Sequence, residues 1–368
     1  MPKGPSILFA GGGSGGHIFP SIAIAQRVAK IQADAGIHFL VSNRAIDATV
    51  MGNLPYDWSP SPAQPLPRQP MKVFGFIRSW KKARAQARQL IADNQVKAVL
   101  CAGGFVSGAV AVEARKKRVP VVLLNLDATP GIANKWLAKR VDHVYTVYKQ
   151  EDWHHAEHVG LPLRNEAIGP EDKAQARVDM GLNPTRRTLL VVGGSQSAKS
   201  LNEMMLEMVH LSSTQQVMRQ WQILHISGNE DAERMELAYR NANIQAKVLP
   251  FTQQMGLAWR CASVAISRSG AGSVAEVWHN AVPAIFMPYP YHKDQHQVHN
   301  AQPLVDAGAA LLLTDHVDAV KNAHQIINPL TELMVNKVYR QNMVDWLIKT
   351  KPADGADIIA RALLRHLR

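Results

Sequence analysis

The chain is poor in cysteine: only Cys101 and Cys261 occur among its 368 residues. Each falls close to an apolar run of strand character, so free thiols in a reducing compartment are expected rather than a disulfide framework. Long hydrophobic runs are missing too. The longest, 98–112, is glycine-rich, contains Ser107 and falls short of a membrane span. No basic segment leads into an apolar one at the start, so no secretion signal is expected. Charged residues make up 19% and apolar residues 46%, the balance of a soluble globular protein. No acid stands between Asp57 and Asp93, and the net charge of +12 is unevenly spread. Residues 1–162 carry 20 Lys and Arg against 10 Asp and Glu, whereas 163–368 carry 21 against 19. The first half therefore meets something negative, either nucleic acid or an anionic membrane surface. No helix-turn-helix, zinc or RNP motif supports nucleic acid. The length itself points to two domains.

Glycine turns are what the sequence has in plenty. An apolar run at 6–10 enters Gly11-Gly12-Gly13-Ser14-Gly15-Gly16-His17, and 19–31 then has helical periodicity. Strand, glycine turn and helix in that order open a doubly wound sheet. The spacing fits neither GxGxxG nor GxxxxGK[ST], so NAD-type and P-loop readings both lose ground. His17 reads either as a helix-end residue or as a titratable group in a site. Strands are expected at 37–42, 96–101, 120–124 and 144–147, the last closing this half, with the proline-rich 54–70 as loop. The run 96–101 ends in Ala102-Gly103-Gly104-Phe105-Val106-Ser107-Gly108. The run 120–124 leads to Asn125-Leu126-Asp127-Ala128 and a helix over 132–139. A polar cluster after a parallel strand is where α/β sheets place ligands.

Residues 71–92 repeat Val73, Phe76/Ile77, Trp80, Ala83, Ala87 and Leu90/Ile91 at helical spacing, among Lys72, Arg78, Lys81, Lys82, Arg84 and Arg88. Most of this stripe fits an ordinary core-facing helix. In its first turns Phe74, Phe76, Ile77 and Trp80 are too many large groups for one narrow buried face. An aromatic, basic end of this kind suits anionic lipid, at about 1 kcal/mol per nearby Lys or Arg.

After a linker at 160–170 the pattern restarts. Strands are expected at 188–192, 222–227, 246–249, 263–266 and 284–287, and Gly193-Gly194-Ser195-Gln196 follows the first of them. The turn Ser269-Gly270-Ala271-Gly272-Ser273 precedes a helix, whose free N–H groups suit a phosphate or diphosphate. Ser273-x-x-Glu276 reads in two ways: as a capping box, or with Glu276 accepting from a ribose diol. Two βα-repeating halves, each with two glycine turns, imply facing parallel sheets with a cleft between them. Residues 338–368 are helical by pattern and are expected to cross back onto the first half.

In this order the turns, with Asn134-Lys-Trp-Leu-Ala-Lys139, Arg268-Ser-Gly-Ala271 and His292-Lys-Asp294 followed by Gln297 and Asn300, resemble the MurG family. These are the cell-wall N-acetylglucosaminyltransferases that complete lipid II. The resemblance runs over nearly the whole chain and implies a GT-B architecture of two Rossmann-like domains. It assigns 1–162 to acceptor and membrane, with a helix at about 341–368 crossing back, and 163–340 to UDP-GlcNAc. It implies inverting transfer of GlcNAc to the muramoyl 4-hydroxyl of an undecaprenyl-diphosphate-linked muramoyl peptide. The implied setting is the cytoplasmic face of the membrane, on anionic lipid, with no cofactor and no nucleic acid.

By the same resemblance Arg164 and Ser195 contact the nucleotide, Phe251 lies beside the uracil, and Glu276 takes the ribose. The turn Gly270, Ala271, Gly272 and Ser273 receives the diphosphate, and Gln297 with Asn300 holds the GlcNAc hydroxyls. Ser14 and Gly15 join the donor contacts, and Ser14 and His17 lie toward the acceptor or its diphosphate, together with Gly103, Gly104, Asn125 and Asp127. Lys72, Phe74, Phe76, Ile77, Trp80, Lys81 and Lys82 match the membrane-docking region. Departing UDP gains negative charge, so oriented N–H groups stabilise the transition state, and no Asp-x-Asp metal site is needed. His17 is the first choice for the base. The chain departs from the family where His-Glu-Gln-Asn is usual: Leu124-Asn125-Leu126-Asp127 stands there, making Asp127 a substitute carboxylate. It also has His296 for a second glutamine and Gly272 for a larger residue. A UDP-GlcNAc 2-epimerase of the same architecture, or a weakened or divergent paralogue with another acceptor, is the competing reading.

Overall fold

The computed structural model of the chain describes residues 4–12, 15–67, 69–150, 152–193, 198–291 and 295–367. The chain divides into two compact units, residues 1–164 with 352–368, and residues 165–351.

In the first unit the elements alternate strictly enough to give one parallel sheet. They run β1 (Ser6–Ala10), α1 (Gly15–Ile31), β2 (Gly36–Ser42), α2 (Ala45–Met51), β3 (Asp57–Ser61), α3 (Val73–Asp93) and β4 (Val96–Cys101). Then come α4 (Gly104–Lys116), β5 (Val121–Asn125), α5 (Ile132–Ala138), β6 (His143–Thr146) and β7 (Ala156–His158). The strand order is β3-β2-β1-β4-β5-β6-β7, every pair parallel. β1 and β5 are buried along their whole length, as apolar runs covered on both faces must be. Two edge strands differ from expectation. β3 forms inside the proline-rich stretch expected as loop, because an edge position tolerates the missing N–H of Pro60. β7 lies outside β6, which was expected to close the sheet.

The second unit repeats the plan. It holds α6 (Lys173–Asp179), β8 (Thr188–Val192), α7 (Ala198–His210), α8 (Ser212–Gln220), β9 (Gln222–Ile226), α9 (Ala232–Asn241) and β10 (Ala246–Leu249). It continues with α10 (Met255–Cys261), β11 (Val264–Ser267), α11 (Ala271–Asn280), β12 (Ala284–Phe286), α12 (His296–Asp306) and β13 (Ala310–Leu312). The order is β10-β9-β8-β11-β12-β13, again parallel throughout. α13 (Ala319–Val335) and α14 (Lys337–Lys349) complete it.

The returning helix is shorter than the expected 341–368. α14 stays with the second unit, where Trp346 stacks on Trp278 of α11 at 5.6 Å. Pro352 breaks the helical run, and Asp354 caps α15 (Gly355–Leu364) by accepting from Ala356 N–H at 3.0 Å. α15 packs on α1, and Arg27 donates to Asp354 at 3.0 Å.

In each sheet the order reverses once, between β1 and β4 and between β8 and β11. Ligands of open parallel sheets bind beyond the strand ends at such a switch point. Gly11, Gly12, Gly103, Gly104, Gly193 and Gly270 follow the strands that flank these points, although 85 residues separate β1 from β4 and 71 separate β8 from β11.

Candidate active site

In the first unit the backbone itself demands glycine at the switch point. Gly12, Gly103 and Gly104 have φ of 140°, 93° and 76°, a region closed to ordinary side chains. The Ser107 hydroxyl donates to Gly103 O at 2.7 Å and lies 3.0 Å from Ala10 O, tying one turn to the other strand. A Cβ on Gly103 would lie 2.9 Å from Asn134 Oδ1 and 3.2 Å from His17 Cδ2, so imidazole and amide both press on this glycine. Asn134 donates to Asn125 Oδ1 at 2.9 Å, and Asn125 donates to Asp127 O at 2.8 Å, which fixes the loop after β5. Gln150 holds the same loop by donating to Ala128 O at 3.0 Å.

His17, at the start of α1, has its pKa lowered by burial, against which Asp127 and Asp47 act to raise it. The imidazole is thus neutral near pH 7. Asp47 is fully buried beneath Gly12 and accepts from the Ser42 hydroxyl at 2.6 Å and its N–H at 3.1 Å. Burial raises the Tyr148 phenol, and the Asp127 charge raises it further. His17, Gly103, Gly104, Asn125 and Asp127 are therefore together, with Gly15 in the first turn of α1; Ser14 lies outside the described residues.

In the second unit, α11 starts from Gly270 with no side-chain cap. Ser273 sits inside the first turn, so the capping-box reading of Ser273 and Glu276 falls. The first bond along the helix is Val274 N–H to Gly270 O at 3.0 Å. With its amide oxygen toward the helix, Asn300 accepts from Ala271 N–H at 3.2 Å and donates to His296 O at 3.2 Å. The Gly272 and Ser273 N–H groups have no protein acceptor among the described residues, and no atom crowds Gly270 or Gly272. The Ser269 hydroxyl, buried beside them, has no partner either.

Beneath this turn is a polar knot. Arg268 pairs with Asp315 at 2.8 Å, both buried, and donates to Met287 O at 2.7 Å and to Ser200 Oγ at 2.6 Å. Burial would raise the Asp315 carboxyl. Hydrogen bonds from Ser200, Val317 N–H and Asn322, with the Arg268 charge, hold it below the usual carboxylate range. The knot thereby locks the ends of β11, β12 and β13 and the start of α7.

Glu276 is half-buried, and its Oε2 accepts from Trp259 Nε1–H at 2.6 Å. Gln297 accepts from Tyr289 N–H at 2.9 Å through Oε1. Phe251, 68% exposed, follows β10. Ser195 and the segment 292–294 lie outside the described residues. Asn300 is fully buried and shapes the helix start. Arg164 belongs to the first unit, where its guanidinium stacks over Phe19 at 3.9 Å. Trp259 and Asp47 carry no mark in the sequence, since Trp259 meets Glu276 17 positions on and Asp47 reaches the glycine turn only through the fold, and Asn134 stands there only as part of a motif.

The start of α3 and the single turn before it stand out: Met71 is 93% and Phe74 85% exposed, and Val73, Ile77, Lys72, Lys81 and Lys82 are exposed as well. Phe76 is half-buried against Trp80, and Trp80 packs over Gly108 of α4. Trp80 is thus a packing residue rather than a free docking group. Arg84 and Arg88 both bind Glu113, at 2.6 and 3.0 Å. Burial raises that carboxyl, but the two guanidiniums bring it below the ordinary value. α5, also packed on α4, exposes Ile132 and Trp136, with Arg140 stacked on the latter at 4.5 Å. Among the described residues no helix is long and apolar enough to cross a membrane.

Known proteins share this arrangement. Residues 7–146 match the glycosyltransferase family 28 N-terminal domain, and residues 188–358 its C-terminal domain. The UDP-N-acetylglucosamine–N-acetylmuramyl-(pentapeptide) pyrophosphoryl-undecaprenol N-acetylglucosamine transferase of Halothermothrix orenii is 30% identical over 342 residues, 89% of this chain and 90% of that one. The Thermodesulfovibrio yellowstonii protein of the same name is 30% identical, covering 98% and 100%. Among solved structures, Acinetobacter baumannii MurG superposes with a TM-score of 0.74 at 22% identity over 98% of this chain and 99% of that one. The calicheamicin glycosyltransferase CalG4 superposes at 0.65 and 13% identity, over 99% and 98%. The shared fold is the two-sheet GT-B arrangement.

Proposed function

This chain belongs to the UDP-N-acetylglucosamine–N-acetylmuramyl-(pentapeptide) pyrophosphoryl-undecaprenol N-acetylglucosamine transferase family, and on that premise we propose how its residues divide the work of a glycosyltransferase. UDP-GlcNAc is the donor, and the lipid-linked muramoyl peptide is the acceptor. The acceptor 4-hydroxyl attacks the anomeric carbon, the bond to UDP breaks, and the configuration inverts. The observation that carries this reading is the uncapped start of α11. There the Gly272 and Ser273 N–H groups have no protein acceptor, and Glu276 stands one turn further on. A leaving diphosphate gains charge as the bond breaks, so N–H dipoles already oriented toward it lower the barrier more than they tighten ground-state binding.

Glu276 accepts from the ribose diol, Phe251 packs beside the uracil, and Gln297 donates its Nε2–H to sugar hydroxyls. Arg164 and Ser195 add nucleotide contacts. In the first unit, neutral His17 takes the proton of the attacking hydroxyl, and Asp127 supplies the acceptor-side carboxylate. The enzyme works as a peripheral protein on the cytoplasmic membrane face. Phe74 and Ile77 enter the lipid interface, and Lys72, Lys81 and Lys82 meet anionic headgroups.

Radiolabelled UDP-GlcNAc incubated with a lipid I analogue tests the assignment. Lipid-linked disaccharide is the expected product. Free N-acetylmannosamine would reveal an epimerase, and no product in folded material would overturn transfer to this acceptor.

A further inference from the structure

Trp259 lies on α10 with its ring fully buried in the core beneath β8 and β11. An indole has one polar atom, a donor, and a buried donor needs an acceptor. Here the acceptor is the Glu276 carboxylate at 2.6 Å, a short, charge-assisted bond. Both ends are held. α10 is seated so closely on the segment 165–169 that a Cβ on Gly256 would overlap the Ile168 backbone. On α11, Asn280 donates to Glu276 O at 2.8 Å and to Ala167 O at 3.0 Å, and accepts from Gly169 N–H at 2.8 Å. The carboxylate therefore rests on a rigid frame.

We propose that Trp259 is a positioning residue for donor recognition, its buried indole N–H orienting Glu276 to accept from the ribose hydroxyls. This rests on the reading of Glu276 as the ribose acceptor. The indole N–H engages one of the two carboxylate oxygens, Oε2. Fixing the terminal torsion in advance removes rotamer freedom that nucleotide binding would otherwise have to freeze. A phenylalanine would fill most of the same volume without orienting anything.

The test compares UDP-GlcNAc with its 2′-deoxyribose analogue in the unsubstituted enzyme and in Trp259→Phe. The unsubstituted enzyme should prefer the ribose donor. Trp259→Phe should raise KM for the ribose donor about tenfold with kcat nearly unchanged. For the deoxy donor it should raise KM clearly less, because one of the two hydroxyls from which Glu276 accepts is already missing. Equal losses on both donors would mean that Trp259 only packs, overturning the proposal. Absence of ribose preference in the unsubstituted enzyme would instead remove the role of Glu276, and the proposal with it. Should Trp259→Phe fail to fold, the unsubstituted protein still answers. Of its eight indole 15N–1H signals, the one displaced in Glu276→Ala reports this bond. Uridine diphosphate should shift that signal further than 2′-deoxyuridine diphosphate; equal shifts would overturn the proposal.

Discussion

His17 has to be neutral to accept a proton, and its surroundings favour that form. Burial takes its pKa below the ordinary 6.5, with Asp127 and Asp47 opposing. A base must be unprotonated, so kcat/KM should hold steady above pH 6.5 and fall only at lower pH. Asp127→Asn removes an opposing charge and should move that acidic limb lower still. His17→Ala should lower kcat by about 10²–10⁴ and erase the limb. A limb surviving in His17→Ala would take the base role from His17. This residue was legible in the sequence because it borders a glycine turn, as Glu276 does. Asp47 and Trp259 were not, because nothing near them in the chain marks a site. Asp47 is 30 positions from His17, and Trp259 17 from Glu276. Only the fold brings each pair together.

Helix α3 separates two roles along its length. Ala83, Ala87 and Ile91 face the core, while the first turns present Phe74, Ile77, Lys81 and Lys82 outward. Phe74→Ser with Ile77→Ser should weaken binding to anionic vesicles and leave stability within about 0.5 kcal/mol. Lys81→Glu with Lys82→Glu should weaken it most at low salt. Trp80→Ala should instead lower stability by about 2 kcal/mol, less than a fully buried aromatic would cost. Flotation and thermal melts distinguish the two, and unchanged flotation in both surface variants would place the docking surface elsewhere. The amphipathic period made α3 legible, and strands β1, β4, β8 and β10 matched their apolar runs to the residue. β3, β7 and β13 did not stand out. These three edge strands are short and half-exposed and lack an apolar run, whereas the edge strand β10 keeps apolar Ala246, Val248 and Leu249.

At the scale of the molecule, folding commits buried groups to one protonation state. His225 lies between the Tyr239 hydroxyl at 2.9 Å and Asn202 Oδ1 at 3.0 Å, and burial pushes its pKa down to about 3. The unfolded chain protonates this histidine near pH 6.5, where the folded chain does not. Its contribution is therefore complete above pH 6.5 and lost as pH falls toward 3, at about 1.4 kcal/mol per pH unit. Thermal melts from pH 7 to pH 4 should show a declining Tm, with a shallower decline in His225→Gln; identical slopes would refute the linkage. The sequence by itself determined the two parallel-sheet units, the glycines that end β1, β4 and β11, and the family. These depend on periodicity and backbone freedom, which act within a few residues. Tertiary structure alone decided that the capping box is absent and that Asn300 shapes a helix start. It also decided that Trp80 packs and that Glu276 leans on a buried indole. Such outcomes depend on which distant groups share a desolvated volume, and polar groups there must take whatever partners the fold supplies.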